Sequence, residues 1–348
     1  MKILQVCPQY FPAIGGLPEY ARNVSERLAK RHELVVFTTD TSGLPKEEEV
    51  NGVLVKRFRS FSPNNAYHIS LSMLKELRRA QFDIVHGYGY HSLPLFFSRY
   101  AKRRRFIVSA SYVRRGLTPF RNILIRIYKP FGTKIFQEAN RVIAFSKYEK
   151  DLLMEDFQID EGKIVVIPCG VNPKEFQGLE KKAKDSKTIL CVAVFEEFKG
   201  IQYAIQALPL LEESTRLEIV GKGPYRQNLV RLAMKLGVIH RVDFYQDLSR
   251  QELATRYANA DLFMLLSRNE SFGTVVAEAL ASKTPCIVAN TSALKEWVDN
   301  KNCFGVDYPI SSDRLASLIT EVMGTKVGEV SIWDWDEVAR QAELVYMA

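Results

Sequence analysis

Residues 261–266, Asp-Leu-Phe-Met-Leu-Leu, and residues 267–285, SRNESFGTVVAEALASKTP, decide the fold of this chain. The first run predicts a buried parallel strand, because every residue after Asp261 is apolar. Residues 267–271 predict a polar turn, and residues 272–282 have the spacing of a helix that ends before the proline. Strand, loop and helix in this order are the repeating unit of a parallel α/β sheet.

Two glutamates flank the loop and define a candidate ligand site. Glu270 is predicted in the loop above the carboxyl end of the strand, and Glu278 one to two turns into the helix. Between them Gly273 and Thr274 open the helix, where unpaired N–H groups and the positive dipole end attract anions. This arrangement suits a nucleotide-sugar, whose hydroxyls flank a diphosphate. Two solvated glutamates on a helix face are the alternative.

The totals favour a globular protein of two domains. At 348 residues each domain is large enough for its own core. The first apolar run, residues 3–7, is too short for a signal peptide, and no stretch approaches the length of a membrane span. The five cysteines are odd in number and lack zinc spacing, which predicts reduced core thiols in a cytoplasmic protein. They are Cys7, Cys169, Cys191, Cys286 and Cys303.

Short apolar runs alternate with helical spacing along the chain, which predicts two doubly wound parallel sheets. A polar, lysine-rich stretch at residues 177–187 separates the two series. Strands are predicted at 3–7, 34–38, 53–58, 83–86, 106–110, 142–145 and 164–167, and then at 188–193, 217–220, 242–245, 261–265 and 285–289. Helices are predicted at 18–30 and at 147–156, the second with Ser146 as its N-cap. Ligands of such sheets bind at the carboxyl ends of the strands.

Positive charge is concentrated in residues 84–137. The chain has a net charge of +8, yet this segment has no Asp or Glu. Its basic residues are Arg99, Lys102, Arg103, Arg104, Arg105, Arg114, Arg115, Arg121, Arg126, Lys129 and Lys134. They are expected to share one face with Phe120, Ile127, Tyr128 and Phe131. Such a face suits an anionic membrane surface. A solvated basic face is the alternative, and no nucleic-acid partner is predicted, because no nucleic-acid-binding motif accompanies the charge.

Several segments together resemble one protein family. Glu270, Phe272, Gly273 and Glu278 resemble the E-x7-E signature of retaining, family 4 glycosyltransferases of the GT-B fold (glycosyl transferases group 1). Other segments agree in order and spacing: KILQVCPQYFPAIGGLPEYARNVSERLAKR (2–31), FDIVHGYGYHSL (82–93), RVIAFSKYEKDLL (141–153) with KIVVIPCGVNPKEF (163–176), GKGP (221–224) and SIWDWDEVARQAELVY (331–346). The resemblance spans nearly the whole chain.

The resemblance implies an α/β chain with GT-B architecture, in which two Rossmann-like, doubly wound parallel-sheet domains face a cleft. Residues 1–168 would form the acceptor-side domain and residues 169–330 the nucleotide-sugar-binding domain. Residues 331–348 would form a helix that crosses back to the first domain. The implied activity is retaining transfer of a sugar from a nucleotide-sugar to an acceptor. The basic segment suggests a membrane lipid or a lipid-linked glycan as the acceptor.

The resemblance also assigns donor-binding residues. Glu270 would bind the hydroxyls of the donor sugar and Glu278 the ribose. The other expected donor-binding residues are Gly15, Gly16, Gly221, Leu248, Phe272, Gly273 and Thr274. The glycine pair at 15–16 allows a phosphate to approach the backbone at a helix N-terminus, although a tight turn without a ligand has the same sequence.

Lys199 is the expected second catalytic residue beside Glu270. Its ammonium group can neutralise the charge that builds on a departing diphosphate. Many family members have an arginine five residues earlier, where this chain has Val194. The candidates to replace this arginine are Lys222, Arg268 and Lys283.

On the acceptor side, the family often has a histidine where this chain has Ser111 and Tyr112. His86 and His91 are nearby in the sequence, and imidazole can carry a proton near neutral pH. A structural role is favoured for His86, which ends a predicted strand. In a retaining displacement on one face of the sugar, the leaving phosphate oxygen can itself accept the proton of the acceptor.

Asp334 and Asp336 match the Asp-x-Asp motif of metal-dependent transferases. Their position at the start of the last predicted helix favours a structural role instead, because acidic residues stabilise a helix N-terminus. No metal and no cofactor are therefore predicted. Two alternatives to a transferase stay open: a nucleotide-sugar epimerase of the same fold, and a catalytically weak or non-catalytic nucleotide-sugar-binding partner, which the residues at 194 and 111 suggest.

Overall fold

The computed structural model describes every residue except 14, 41–42, 63–66, 115–118, 180 and 182–185, and for residues 119–121 it describes the backbone only. The chain forms two compact units. Unit 1 consists of Met1–Gly170 and Trp333–Ala348, and unit 2 consists of Val171–Ile332.

Unit 1 is an eight-stranded sheet with helices between most strands. Its elements from residue 1 to residue 170 are β1 (Lys2–Val6), α1 (Gly16–Leu28), β2 (Glu33–Thr39), β3 (Glu47–Val50), β4 (Val53–Phe58), α2 (Leu71–Leu77), β5 (Gln81–Tyr88), α3 (Leu93–Ser98), β6 (Lys102–Ser109), α4 (Pro119–Glu138), β7 (Arg141–Ala144), α5 (Lys147–Phe157) and β8 (Ile164–Val166). The strand order is β3-β4-β2-β1-β5-β6-β7-β8. All neighbours are parallel except β3, which runs antiparallel to β4 at the edge.

Unit 2 is a six-stranded parallel sheet. Its elements are β9 (Thr188–Val192), α6 (Ile201–Ala207), β10 (Arg216–Val220), α7 (Arg226–Lys235), β11 (Val242–Tyr245), α8 (Arg250–Asn259), β12 (Leu262–Leu265), α9 (Thr274–Ala281), β13 (Cys286–Ala289), β14 (Cys303–Val306) and α10 (Ser312–Val322). The strand order is β11-β10-β9-β12-β13-β14. Counted within the unit this is 3-2-1-4-5-6, the order of dinucleotide-binding sheets, with its switch point between β9 and β12.

Both sheets confirm the predicted fold class of two parallel-sheet α/β domains with GT-B architecture. The deciding stretch forms the predicted strand, loop and helix: β12 is buried at all four residues, and α9 begins after Gly273. Ser146 caps α5 as predicted, because its side chain accepts a hydrogen bond from the Glu149 N–H. All five cysteines are buried and free, as expected for core thiols. Within the described ranges, no helix combines the length and apolar composition of a membrane span.

A last helix, α11 (Trp335–Met347), belongs to unit 1 and packs on α1. The Trp335 ring meets the Tyr20 ring edge to face at 5.8 Å between centroids. Near the other end of the helix, the Tyr346 hydroxyl forms a 2.7 Å hydrogen bond with Nδ1 of His86. These contacts bury the helix against the first segment of the unit.

The chain leaves unit 1 and returns to it at adjacent points. A Cβ atom built on Gly170 would lie 2.9 Å from the backbone nitrogen of Trp335, which is closer than side chains tolerate. Glycine at this position therefore lets the two crossing segments touch.

Asp334 and Asp336 both have structural roles at the start of α11. The Asp334 carboxylate caps the helix by accepting a 2.8 Å hydrogen bond from the Glu337 N–H. Asp336 forms a 2.5 Å ion pair with Arg27 of α1. The structural interpretation of the Asp-x-Asp sequence accounts for both side chains.

The prediction for the basic segment needs a correction at Tyr128. Ile127 and Phe131 of α4 are exposed, as expected for a shared outer face, but Tyr128 is half-buried and packs against the core of unit 1. One residue along a helix turns the side chain by about 100°, and here that turn directs Tyr128 toward the core while Ile127 stays exposed. Arg115 and the side chains of Phe120 and Arg121 lie outside the described residues.

Candidate active site

Lys199 and Glu270 meet at the switch point of the unit 2 sheet. Lys199 follows β9 and Glu270 follows β12, so both lie at carboxyl ends of neighbouring strands. The Lys199 Nζ donates to Glu270 Oε1 at 2.6 Å, and each side chain is 16% exposed. The two loops are also joined by a 2.8 Å hydrogen bond from the Arg268 N–H to the Phe198 carbonyl. The structure thus brings together the two residues predicted to be catalytic.

The N-terminus of α9 lies directly after this pair. Gly273 precedes the helix with φ of 91°, and a Cβ there would lie 2.9 Å from the side chain of Leu294. Glycine is therefore required both by the backbone angle and by the packing. No described side chain caps the helix, so its N-terminus keeps unpaired N–H groups of the kind that bind anions. The Phe272 carbonyl is held by a 2.7 Å hydrogen bond from the Trp297 indole N–H.

The Glu270 loop is fixed by Ser292. The Ser292 hydroxyl accepts a 2.9 Å hydrogen bond from the Glu270 N–H, and the Glu270 carbonyl accepts one from the Ala293 N–H at 3.3 Å. The Ser292 side chain thus holds the backbone of Glu270 in place.

Glu278 lies in a buried polar cluster. Its carboxylate accepts a 2.9 Å hydrogen bond from the Tyr257 hydroxyl and pairs with Arg250 at 2.9 Å. Arg250 also pairs with Glu175. Burial raises the pKa of Glu278 above its ordinary value, and the charge of Arg250 opposes this shift. Arg250 and Tyr257 therefore fix the orientation of the buried Glu278 carboxylate.

Sequence reasoning missed Arg250, Tyr257 and Glu175. A local signal for α8 exists, because Ser249 and Glu252 form a capping box that starts this helix and sets Arg250 in its first turn. No local signal indicates that its guanidinium points to Glu278, 28 residues further on, since that contact depends on how α8 and α9 pack.

Gly221 and Leu248 lie at the same edge of the sheet, after β10 and β11. A Cβ on Gly221 would lie 1.9 Å from the Ala193 carbonyl oxygen, so a glycine is needed where the loops after β9 and β10 cross. Leu248 is half-buried against the core beside β12. Packing accounts for the glycine at 221 without a ligand, and its donor-binding role stays a prediction.

Of the three candidates for a second cation, Arg268 is the best placed. Val194, at the position of the family arginine, is 53% exposed. Lys222 is paired with Asp247 at 2.8 Å, and Lys283 donates to the Gly328 carbonyl beyond the far end of α9. Arg268 is exposed in the Glu270 loop, where its guanidinium lies 5.8 Å from the ring centre of Tyr308.

In unit 1, Gly15 and Gly16 are exposed at the N-terminus of α1, directly after the β1 loop. A Cβ built on Gly16 would meet nothing within 4 Å. Packing therefore does not explain this glycine, and the position leaves room for a ligand to approach the backbone. Its donor-binding role stays a prediction.

Two of the predicted acceptor-side residues have structural positions. His86 is fully buried, and its ring nitrogens bond to Tyr346 and to the Ser109 hydroxyl at 2.9 Å. Burial lowers the pKa of His86 to about 3, so the ring is neutral. Tyr112 is also buried, and its hydroxyl donates to Asp156 at 2.9 Å. These contacts agree with the structural role favoured for His86, and the acceptor-side role of His86 and Tyr112 stays a prediction.

His91 and Ser111 are only half-buried. His91 stacks with Tyr112 at 5.9 Å between ring centres, and burial lowers its pKa to about 4. Ser111 has φ of 47° at the turn after β6. Both remain candidates for the acceptor side, and the low pKa makes His91 a neutral ring at physiological pH.

Comparison with known proteins agrees with this geometry. Residues 14–175 match the family model "Glycosyltransferase Family 4", and residues 173–328 match "Glycosyl transferases group 1". An uncharacterized glycosyltransferase of Methanocaldococcus jannaschii is 30% identical over 99% of this chain and 98% of its own length. The chain therefore belongs to the group 1 glycosyltransferases.

Two other similar proteins carry more informative names. The alpha-monoglucosyldiacylglycerol synthase of Streptococcus pneumoniae is 24% identical over 93% of this chain and 79% of its own length. The solved structure of HepE from Anabaena in complex with UDP-glucose superposes with a TM-score of 0.80 at 17% identity, covering 100% of both chains. The second similarity shows the shared fold.

Proposed function

We propose that this glycosyltransferase is a retaining, metal-independent hexosyltransferase that moves a sugar from a nucleotide-sugar to an acceptor hydroxyl. The observation that carries the proposal is the Lys199–Glu270 pair at 2.6 Å beside the uncapped N-terminus of α9. A cation from the loop after β9, with a carboxylate and backbone N–H donors from the neighbouring loop after β12, suits a diphosphate joined to a sugar.

Each residue of the site has one role in the proposed reaction. Lys199 and the N–H groups of Gly273 and Thr274 bind the diphosphate, Glu270 accepts hydrogen bonds from the sugar, and Glu278 accepts them from the ribose. The bond from the acceptor oxygen to the anomeric carbon forms on the face where the bond to the phosphate oxygen breaks. The acceptor proton passes to that phosphate oxygen, and Lys199 stabilises the charge of the leaving group.

Arg268 is the proposed second cation. The family arginine is replaced by an exposed valine, and Arg268 follows β12 in the loop that is bonded to the Lys199 loop. A diphosphate that leaves with two negative charges is better neutralised by two cations than by one. The charge that a metal supplies in other transferases would here come from these side chains.

The proposed acceptor is a membrane lipid or a lipid-linked glycan. The name of the Streptococcus relative states a glucosyl lipid product, and the acid-free basic segment at 84–137 suits an anionic membrane surface. Glucose is one candidate donor sugar, because the structurally similar HepE binds UDP-glucose.

A non-catalytic nucleotide-sugar-binding role is the second candidate, and Val194 is the observation that favours it. Loss of the family arginine removes half of the cationic site for the leaving group. Such a protein would bind the donor with the same residues and turn it over slowly or not at all.

A screen of nucleotide-sugars for thermal stabilisation tests donor binding. A ligand at one hundred times its Kd stabilises the native state by about 2.7 kcal/mol. The stabilising donor is then incubated with lipid acceptors, with and without EDTA, and the anomeric configuration of the product is determined. Transfer with retention that EDTA leaves unchanged supports the proposal. Stabilisation without transfer or hydrolysis supports the non-catalytic role, and isomerised donor without an acceptor indicates an epimerase.

A further inference from the structure

Unit 1 contains an apolar cavity of about 340 Å³ between α3 and α4. Leu93, Phe96 and Phe97 of α3 form one wall, and Leu124, Ile127 and Phe131 of α4 form the other. Tyrosine and histidine side chains add the few polar atoms of the lining. An engineered cavity of about 150 Å³ binds benzene and stays dry, so this one has room for roughly twelve carbon atoms.

An exposed apolar stripe on α4 adjoins the cavity. Ile123, Ile127 and Phe131 are 57%, 61% and 49% exposed, and their spacing of four places them along one face of the helix. Two of these three side chains also line the cavity. The cavity and the outer face of α4 therefore form one continuous apolar surface, and large exposed apolar surfaces mark interaction sites.

The charge around this surface is positive. Arg126 and Lys134 are exposed on α4 and follow Ile123 and Phe131 by three residues, the spacing of neighbouring side chains on a helix surface. In the described part of the chain, neither forms an ion pair with a carboxylate, whereas Arg99 and Arg103 share Glu138. Two cations without partners beside an apolar cavity match an anionic head group attached to a hydrocarbon chain.

We propose that this cavity binds one fatty-acyl chain of an anionic membrane phospholipid, with the head-group phosphate held by Arg126 and Lys134. The chain passes between Ile127 and Phe131 into the space between the two helices. This inference rests on the membrane partner of the proposed function, but it does not depend on the transfer reaction.

The binding of alkyl phosphates, kept below their micelle concentrations and measured by calorimetry on the full chain, tests the proposal. Affinity for dodecyl phosphate should be saturable at one site. Each methylene added to a shorter chain should tighten binding about fourfold, up to roughly twelve carbons, and longer chains should gain no more. Arg126→Gln and Lys134→Gln should weaken binding of dodecyl phosphate but not of dodecanol.

A variant that fills the cavity distinguishes binding inside the cavity from binding on the outer surface of α4. Leu124→Trp should weaken binding of dodecyl phosphate at least about tenfold, equivalent to the loss of two buried methylenes. The matched control Gln137→Trp adds the same side chain at an exposed position of α4 that lines neither the cavity nor the stripe, and it should bind as the wild-type chain does. Leu93→Phe provides a second filled cavity if Leu124→Trp lowers the melting temperature strongly.

Three results would overturn the proposal. They are the absence of saturable binding to the wild-type chain, an affinity that does not depend on chain length, and unchanged binding in a folded Leu124→Trp variant. A dimer in light scattering that Ile123→Trp disrupts, without alkyl phosphate binding, would assign the stripe to a second copy of the chain. Failure of nucleotide-sugars to stabilise unit 2 would refute the proposed function and leave alkyl binding unchanged.

Discussion

At the scale of single residues, the Lys199–Glu270 contact would couple two parts of the proposed donor recognition. The ammonium and the carboxylate neutralise each other across 2.6 Å, so a ligand that takes one of them releases the other. A diphosphate that draws the Lys199 ammonium toward itself leaves Glu270 free to accept hydrogen bonds from sugar hydroxyls. A nucleoside diphosphate alone would then prepare the sugar site.

Neutral variants of Glu270 and Glu278 should have different effects on donor binding and turnover. Glu278→Gln should weaken donor binding through the ribose, while Glu270→Gln should chiefly lower kcat, because the sugar is misplaced. The loss of one charged hydrogen bond costs about 1.5–3 kcal/mol, or roughly 10- to 150-fold. Calorimetric donor titration and steady-state kinetics distinguish the two, with Glu321→Gln on the exposed face of α10 as the control. Wild-type binding and turnover in both variants would remove these residues from the site.

Lys199 should be essential for transfer. Lys199→Ala should lower kcat at least about a hundredfold, because a preorganised charge on the leaving group is lost. Val194→Arg should raise kcat, since it restores the arginine that the family has at this position. The control Lys222→Ala removes an exposed lysine already paired with Asp247, and it should stay active. An active Lys199→Ala enzyme would show that another cation, such as Arg268, stabilises the leaving group.

His86 should make unit 1 sensitive to acid. Its pKa is lowered by burial from 6.5 to about 3, so the unfolded chain takes up a proton that the folded chain does not. This group's contribution to stability is fully present above pH 6.5 and is lost as the pH falls toward 3. Between pH 7 and pH 5 the loss amounts to about 2 kcal/mol.

Urea unfolding of the wild-type chain and of His86→Gln at both pH values measures this effect. The variant should be less stable at pH 7, but the difference should shrink by about 2 kcal/mol at pH 5. His240→Gln changes an exposed histidine and serves as the control. A difference between wild type and His86→Gln that is the same at both pH values would contradict the neutral, buried state of His86.

At the scale of elements, the sequence predicts the parallel strands of both sheets except β14 (Cys303–Val306), because an apolar run between turn residues is typical of a buried strand. It does not predict β3, whose sequence Glu-Glu-Glu-Val has low strand propensity. This strand pairs with β4 through the backbone, and ion pairs of Glu47 with Lys56 at 3.2 Å and of Glu48 with Arg57 at 2.6 Å add contacts between the two strands. Cross-strand pairs of this kind depend on register, which a single segment does not reveal.

The candidate site likewise contains some features that the sequence predicts and some contacts that it does not. Glu270, Gly273 and Glu278 belong to one segment, so their relative positions follow from strand, loop and helix periodicity. The contact of Glu270 with Lys199, 71 residues earlier, follows only from the order of β9 and β12 in the sheet. The Arg250 and Tyr257 contacts to Glu278 depend on helix packing, which leaves no periodic pattern.

Helix α4 should provide the membrane-binding element. The sequence alone suggests replacing Arg103, Arg104, Arg114 and Arg115, but Arg103 and Arg114 are in ion pairs with Glu138 and with Glu155 and Asp156, and Arg115 lies outside the described residues. Arg126→Ser with Lys134→Ser removes charges that have no partner in the described structure. This double variant should bind anionic vesicles roughly thirtyfold more weakly, at about 1 kcal/mol for each charge.

Co-sedimentation with vesicles of graded anionic content measures this prediction. Binding of the wild-type chain should require anionic lipid and weaken as salt rises. Lys235→Ser with Lys326→Ser removes the same charge from unit 2 and should leave binding unchanged. Equal binding to neutral and anionic vesicles, or none at low salt, would make the basic segment a solvated face.

At the scale of the whole molecule, the two parallel-sheet units contain different candidate sites. Unit 2 contains the Lys199–Glu270 pair, the α9 N-terminus and the Glu278 cluster, which form a compact candidate donor site. Unit 1 contains the basic segment, the apolar cavity and the two half-buried acceptor candidates, His91 and Ser111. A variant at the Lys199–Glu270 pair should therefore affect donor binding but not lipid binding, and a variant at Leu124 should have the opposite effect.

Because α11 belongs to unit 1 but follows unit 2 in the sequence, unit 1 cannot be completed on the ribosome until unit 2 has been synthesised. Gly170 and Trp335 touch, so unit 2 is in effect an insertion whose two ends meet. During synthesis, the face of α1 around Tyr20 stays uncovered until all of unit 2 has emerged. The His86 ring also lacks its hydrogen bond to the Tyr346 hydroxyl until then. The nascent unit 1 thus exposes the hydrophobic surface that α11 later covers. During that interval chaperones or early folding of unit 2 must prevent aggregation.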